Sequence, residues 1–188
     1  GNAVAIEFLG PIAIAAIGTK SVRSAGALLL AASGVLILAG VQGDGTLLGV
    51  LFALMAGSMW AGYIVLGHRV ARDGLAIDGL GVGMLIGAFV ISPLGIGEID
   101  VAFSDLRILG LALAAGLLSN IVPYVIDQFV MKEITRSRFA FLQALLPVTA
   151  TVVGFLSLGQ SPSWAECLGI GSVILAIAIS GGDREFRK

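Results

Sequence analysis

Glu7 stands inside an apolar stretch, Ala3–Gly18, eleven residues before its end. At 1.5 Å of helical rise per residue, that is about 16 Å from the boundary marked by Gly18 and Lys20. Such a depth is near the middle of a bilayer core roughly 30 Å thick. A carboxylate there is costly, and intramembrane acids usually face a bundle interior or an aqueous path. The chemistry this placement suits is reversible proton carriage or the binding of a polar solute. A structural hydrogen bond to a neighbouring helix is the plainer alternative. Pro11 follows four residues later. Its ring blocks the bond that residue 11 would make to the Glu7 carbonyl, so a free carbonyl and a kink are expected beside the acid.

A second set of polar residues lies on one later segment. Asn120, Tyr124, Asp127 and Gln128 are spaced four, three and one apart, so one helical face carries them all. Gly116 continues that face, and Pro123 frees the carbonyl of Ser119. This is a polar stripe suited to a solute path. Asp127 lies close to the end of its segment, where a solvated interfacial acid is the competing explanation. Trp60 and Tyr63 sit near the end of another segment, where aromatic-belt anchoring competes with a role in the path. Gln143 precedes Pro147 by four residues, as Glu7 precedes Pro11. Gly79, Gly83 and Gly87 form successive GxxxG steps that permit close helix packing.

Enzymatic signatures are missing. There is no HExxH, CxxC or GxSxG motif and no phosphate-binding loop. The single histidine, His68, is read at a loop edge. Cys167 has no partner for an internal disulfide. The sequence therefore points away from an enzyme and implies no cofactor and no metal.

The elements that must hold these residues are membrane helices. Of 188 residues, 57% are hydrophobic and 12% charged, with 27 glycines besides; the mean hydropathy is +1.03. Soluble domains carry about 25% charge. The composition excludes an ordinary soluble domain, a disordered tail and a disulfide scaffold. The net charge of −1 gives no field for nucleic acid. Seven apolar segments are expected to span the bilayer: Ala3–Gly18, Ala25–Val41, Thr46–Gly67, Gly79–Gly97, Ile108–Asp127, Phe139–Gly159 and Trp164–Gly181. Of the 11 basic residues, ten fall on one set of alternate connectors, and Arg107 alone falls on the other. Arg69, Arg72, Lys132, Arg136 and Arg138 are among the ten, as are Arg184, Arg187 and Lys188 of the tail. The opposite side holds the Gln42–Gly45 link and the acidic Glu98, Asp100 and Asp105. The positive-inside rule puts the carboxyl terminus in the cytoplasm and the amino end outside.

Two regions of the chain repeat each other. Pro11-Ile-Ala-Ile-Ala-Ala-Ile-Gly18 matches Pro147-Val-Thr-Ala-Thr-Val-Val-Gly154 at an offset of 136 residues. Gly34-Val-Leu-Ile-Leu-Ala39 matches Ser172-Val-Ile-Leu-Ala-Ile177 at an offset of 138. Five spans separate the equivalents, so the copies have opposite orientation. Inverted repeats of this kind are typical of transporters. The arithmetic places about 90 residues, or three spans, ahead of Gly1, and the start without Met agrees. The expected organisation is all-α, a polytopic bundle with an inverted five-helix repeat and its amino-terminal part missing. Residues 1–41 are the end of the first repeat, 46–181 the second repeat, and 182–188 a cytoplasmic tail.

These residues resemble the EamA-type transporters of the drug/metabolite transporter superfamily, in particular the threonine/homoserine exporter branch. The resemblance rests on Ala3-Val-Ala-Ile-Glu7-Phe-Leu-Gly-Pro11 and on Trp60-Ala-Gly-Tyr63 with Gly67 and Arg69. It rests also on the stretch from Val122-Pro123-Tyr124 through Arg138-Phe139 and Pro147 to Leu158-Gly159. It covers essentially the whole chain, as the last seven of ten helices. It implies two inverted five-helix repeats around a central site and export of amino acids or similar small metabolites, driven by protons. It implies a multi-pass protein of the plasma (inner) membrane whose partners are lipid, solute and protons, and it leaves a homodimer open. Glu7, Pro11, Trp60, Asn120, Tyr124, Asp127, Gln143 and Pro147 are the expected pathway residues. Leu146 and Gln160 depart from the branch, which often has Glu before this proline and Gly-Glu at this helix end. The alternative is a structural or assembly subunit of the membrane without transport activity.

Overall fold

The computed structural model describes residues 2–40, 46–98, 103 and 105–180. The Gln42–Gly45 link, Asp100 and the tail with Arg184, Arg187 and Lys188 lie outside them. The described chain is helical without strands. Its elements are α1 (Asn2–Glu7), α2 (Leu9–Ile17), α3 (Val22–Ala39), α4 (Leu47–Arg72) and α5 (Ala76–Gly95), then a 3₁₀ turn (Ile96–Glu98). After these come α6 (Leu106–Gly116), a π turn (Leu117–Ile121), α7 (Val122–Glu133), α8 (Arg136–Leu142), α9 (Leu145–Leu158) and α10 (Trp164–Ser180). Five helical stretches are long and apolar enough to cross a membrane: 22–39, 47–72, 76–95, 106–133 and 136–158. Two shorter apolar ones cover 3–17 and 164–180. All seven expected segments are thus helical, and the protein is a polytopic helical membrane protein.

Caps drawn from the sequence set the helix ends. Ser21 and Ser24 form a reciprocal capping box at the start of α3. Asp105 accepts the Arg107 N–H at 2.8 Å ahead of α6. Ser163 and Glu166 exchange bonds at the start of α10, the acid accepting the Ser163 N–H at 2.6 Å. Each pair satisfies N–H groups that the first helical turn leaves without intrahelical partners. Gly159, at φ 65°, ends α9. The Gln160 N–H then returns to the Gly154 carbonyl, a 6→1 closure that glycine permits in the left-handed region. Gln160, one of the two departures, therefore helps close a helix end.

Two compact units form: 1–66 with 134–188, and 67–133. The division follows packing and cuts across the segments read from the repeat. In the first unit, α3 packs along α10, and α2 along α8. A Cβ at Gly34 would lie 2.7 Å from Val173 Cγ2 and 2.8 Å from the Gly169 carbonyl oxygen. A Cβ at Gly169 would lie 3.1 Å from the Gly34 carbonyl oxygen. The seam is lined by small or branched buried residues, Ala27, Ala31 and Val35 facing Gly169, Val173 and Ala176. In lipid there is no hydrophobic drive for helices to associate, so small residues that allow close backbone approach hold such seams. In the second unit, α5 meets α7, and Val70 lies against Gly79. The GxxxG expectation is corrected here. Gly83 and Gly87 have nothing within 4 Å of a built Cβ among the described residues, because α5 turns that side to open surface.

Gly34→Val is expected to destabilise the protein by about 1–3 kcal/mol through overpacking, read as a lower unfolding midpoint in detergent. Gly26→Ala, on the same helix but with nothing within 4 Å, is expected to leave the midpoint unchanged or raise it.

Candidate functional site

The sequence places Glu7 at a helix break, and the fold shows how the break is made. α1 ends at Glu7, and Phe8 (φ −66°, ψ −13°) caps the start of α2. Pro11 is buried and has no N–H to give. Among the described residues no backbone N–H reaches the Glu7 carbonyl. The second proline breaks its helix at the equivalent place. Ala144, 136 residues after Phe8, caps α9 at φ −60°, ψ −15°. The outcome differs in one bond: the Leu146 N–H closes a tight turn onto the Gln143 carbonyl at 3.0 Å. The carbonyl freed by Pro147 is satisfied within its own chain segment, whereas the one freed by Pro11 is not.

The Glu7 carbonyl meets α4 instead. A Cβ on Gly57 would come within 2.8 Å of the Glu7 carbonyl oxygen and 3.2 Å of its Cα. A Cβ on Gly10 would run into the Gly57 carbonyl. The two backbones therefore touch at glycines on both sides. One turn along, Phe8 and Trp60 pack edge to face, with ring centroids 5.0 Å apart, a geometry that favours aromatic pairs. Phe8 is 4% exposed, so this contact is part of the core. Glu7 itself is half-buried, and no hydrogen bond or ion pair holds its carboxylate among the described residues. The structure therefore brings Glu7, Pro11 and Trp60 to one crossing. Trp60 is engaged with Phe8 in protein packing, beyond any belt role.

A small cavity opens between the two broken helices and α3. Phe8 and Pro11 line one side, Phe141 and Ala144 another, and Ala31 and Val35 the third. These linings are apolar, and neither Glu7 nor Gln143 is among them. The lining offers no partner to a charged solute. Gln143 and Pro147 are half-buried, and Leu146, the other departure, is 47% exposed. On the same seam the Ser137 hydroxyl donates to the Ile14 carbonyl at 3.3 Å. Ser137 also fills the space beside Gly18.

The second unit holds the polar stripe. Pro123 removes a helical N–H, and the backbone answers with a π turn in which the Val122 N–H bonds the Leu117 carbonyl. Such turns add a residue to one helical circuit and recur at functional sites. Asn120 sits inside this turn, is exposed, and donates to the Ser119 hydroxyl at 2.9 Å. Beyond it α7 is regular. Tyr124 and Asp127 are half-buried there, and Gln128 is 2% exposed. The spacing argument thus holds for Tyr124, Asp127 and Gln128, while the extra residue of the π turn takes Asn120 out of their register. Gly67, on α4, packs against Gln128 and Met131.

Two corrections and one omission follow. His68 is not at a loop edge: α4 continues to Arg72, and His68 is 7% exposed within it. The burial of Gln128 was not foreseen from its spacing alone. The crossing at Gly10 and Gly57 was also missed. Its signal was present as small residues four apart, Ala53, Gly57 and Ala61, with Ala53 3% exposed.

Residues 47–182 match the EamA-like transporter family. Over 180 residues the chain is 31% identical to the threonine/homoserine exporter RhtA of Escherichia coli K12, covering 94% of this chain and 60% of that protein. It is 32% identical to the threonine/homoserine exporter RhtA of Salmonella typhimurium LT2 with the same coverage. It is 26% identical over 149 residues to the uncharacterized transporter YcbK of Bacillus subtilis, covering 76% of this chain and 46% of that protein. The chain therefore spans about 60% of the length of the two exporters. No solved structure matches it.

Gly57→Ala is expected to push α4 away from Glu7 and lower the unfolding midpoint, with a change in the near-ultraviolet signal of Trp60. Gly62→Ala, on the same helix with open space at its Cβ, is expected to change neither.

Proposed function

The chain belongs to the EamA-like transporter family, and from that premise we propose that the whole protein is a secondary transporter exporting amino acids. Its substrates in this reading are threonine- or homoserine-like, or similar small polar metabolites, and its coupling ion is the proton. The observation that carries the proposal is the half-buried, unpaired Glu7 carboxylate at a proline-made helix break. A carboxylate in a spanning segment is functional by default. One that is bound neither to a cation nor to a donor is available to exchange a proton or to meet a solute ammonium. Gln143 occupies the equivalent place in the second copy and holds no charge, so proton carriage in this reading falls to Glu7. Tyr124 and Asp127 contribute further polar groups for the solute.

The proposed architecture is ten helices in two inverted five-helix repeats, of which this chain supplies the last seven. The matching breaks at Phe8 and Ala144 support it, as does the packing of α3 against its equivalent α10. Equivalent residues of that seam, Ala31 and Gly169 or Val35 and Val173, are buried alike, as exchange about a two-fold axis requires. The proposed location is the plasma membrane with the carboxyl terminus in the cytoplasm, on the distribution of Lys and Arg.

Glu7→Gln in the complete protein keeps the shape and removes the titrating group. Proton-driven amino-acid efflux is expected to fall to background with membrane expression unchanged, measured in cells loaded with labelled threonine. Efflux at the wild-type rate would remove Glu7 from the mechanism.

A further inference from the structure

Gln128 holds a buried polar atom that nothing in its surroundings explains. Its side chain is 2% exposed, and among the described residues no donor reaches its Oε1. A buried acceptor left without a donor costs roughly 1–3 kcal/mol, and such groups are rare enough in folded proteins to call for a reason. The position is well fixed. Gly67 packs on the Gln128 amide, its Cβ direction 3.3 Å from Nε2, and Met131 closes the same side with Sδ at 3.3 Å. Met131 is fully buried. Glycine at 67 leaves this amide its space, since any larger residue would press on it. One turn back on α7 is Tyr124, and next to Gln128 is Asp127, both half-buried. This stretch of α7 is therefore rich in oxygen acceptors.

We propose that Gln128 Oε1 is a binding group for the ammonium of the exported solute. The inference rests on the amino-acid export reading above and names a residue of that site. An acceptor without a donor selects a ligand that donates. An ammonium group offers three N–H donors and no acceptor, and a hydrogen bond to a charged group is worth more than one between neutral groups. The orphan is then a feature of the empty state, relieved when solute arrives. Gln128 binds; it carries no proton and takes no part in coupling.

The test is Gln128→Met in the complete protein, a change that keeps length and removes the acceptor. KM for L-threonine efflux is expected to rise roughly ten- to hundred-fold, the loss of one charge-assisted bond. The unfolding midpoint of the solute-free protein is expected to stay the same or rise, since no bond is lost in the empty state. An unchanged KM would overturn the role of Gln128 and leave the transport reading standing. A midpoint lowered by several degrees would make the carbonyl a structural acceptor and likewise overturn it. A wild-type protein that exports no amino acid from a panel including L-threonine would overturn the transport reading and this inference together.

Discussion

The close approach of two backbones at Gly10 and Gly57 is the constraint on which the Glu7 region depends. Lipid tails are as apolar as leucine, so helices in a bilayer gain little by hiding leucines from it. What remains is van der Waals contact, which falls off steeply with a gap of even half an ångström. Glycines on both sides let main chain meet main chain, and the Phe8–Trp60 pair adds an aromatic contact one turn along. A helix break at that place is tolerable because α4 covers it. Without the cover, the carbonyl freed by Pro11 would face hydrocarbon with no partner, which is costly in a membrane interior.

The prolines show the same accounting resolved in four ways. At Pro93 the Ser92 hydroxyl donates to the Phe89 carbonyl, taking the acceptor that the proline leaves. At Pro123 a π turn moves the register by one residue. At Pro147 a tight turn from the Leu146 N–H closes the gap. At Pro11 no such repair is made, and the carbonyl lies against Gly57. The unrepaired break is also the one beside the carboxylate. Polar backbone and polar side chain thus coincide at a single depth in the first unit, as expected where a helix interruption serves a binding site rather than a bend.

The two copies of the repeated sequence are alike in backbone and unlike in chemistry. Both break three residues before the proline, with nearly the same dihedral angles. Yet one presents Glu7 and the other Gln143, and only one leaves its carbonyl open. The apolar cavity between them follows from the side chains at the breaks, Phe8 and Pro11 on one and Phe141 and Ala144 on the other. It is a packing gap of the seam, and the polar groups lie away from its lining.

Much of this protein was legible in its sequence. The composition sets a membrane environment, and the environment forces the backbone to bond to itself, so long apolar runs become helices without further information. Proline positions mark the breaks, because a missing N–H is a local chemical fact. Ser21, Asp105 and Ser163 mark helix starts for the same reason. The spacing of Tyr124, Asp127 and Gln128 gives their common face wherever 3.6 residues make a turn. What the sequence did not decide is which small residues meet. Gly10 and Gly57 make a crossing while Gly83 and Gly87 meet nothing among the described residues, though GxxxG spacing favoured the latter. Glycine spacing states only that close approach is allowed; which helix arrives depends on every other packing choice. The same holds for polar side chains. Glu7 could be placed at mid-membrane by counting residues, but its lack of a partner, the π turn that shifts Asn120, and the burial of Gln128 without a donor are properties of neighbours brought together across the chain. Local chemistry set the helices, their breaks and their polar faces, and tertiary contact alone decided which of those polar groups were left unpaired.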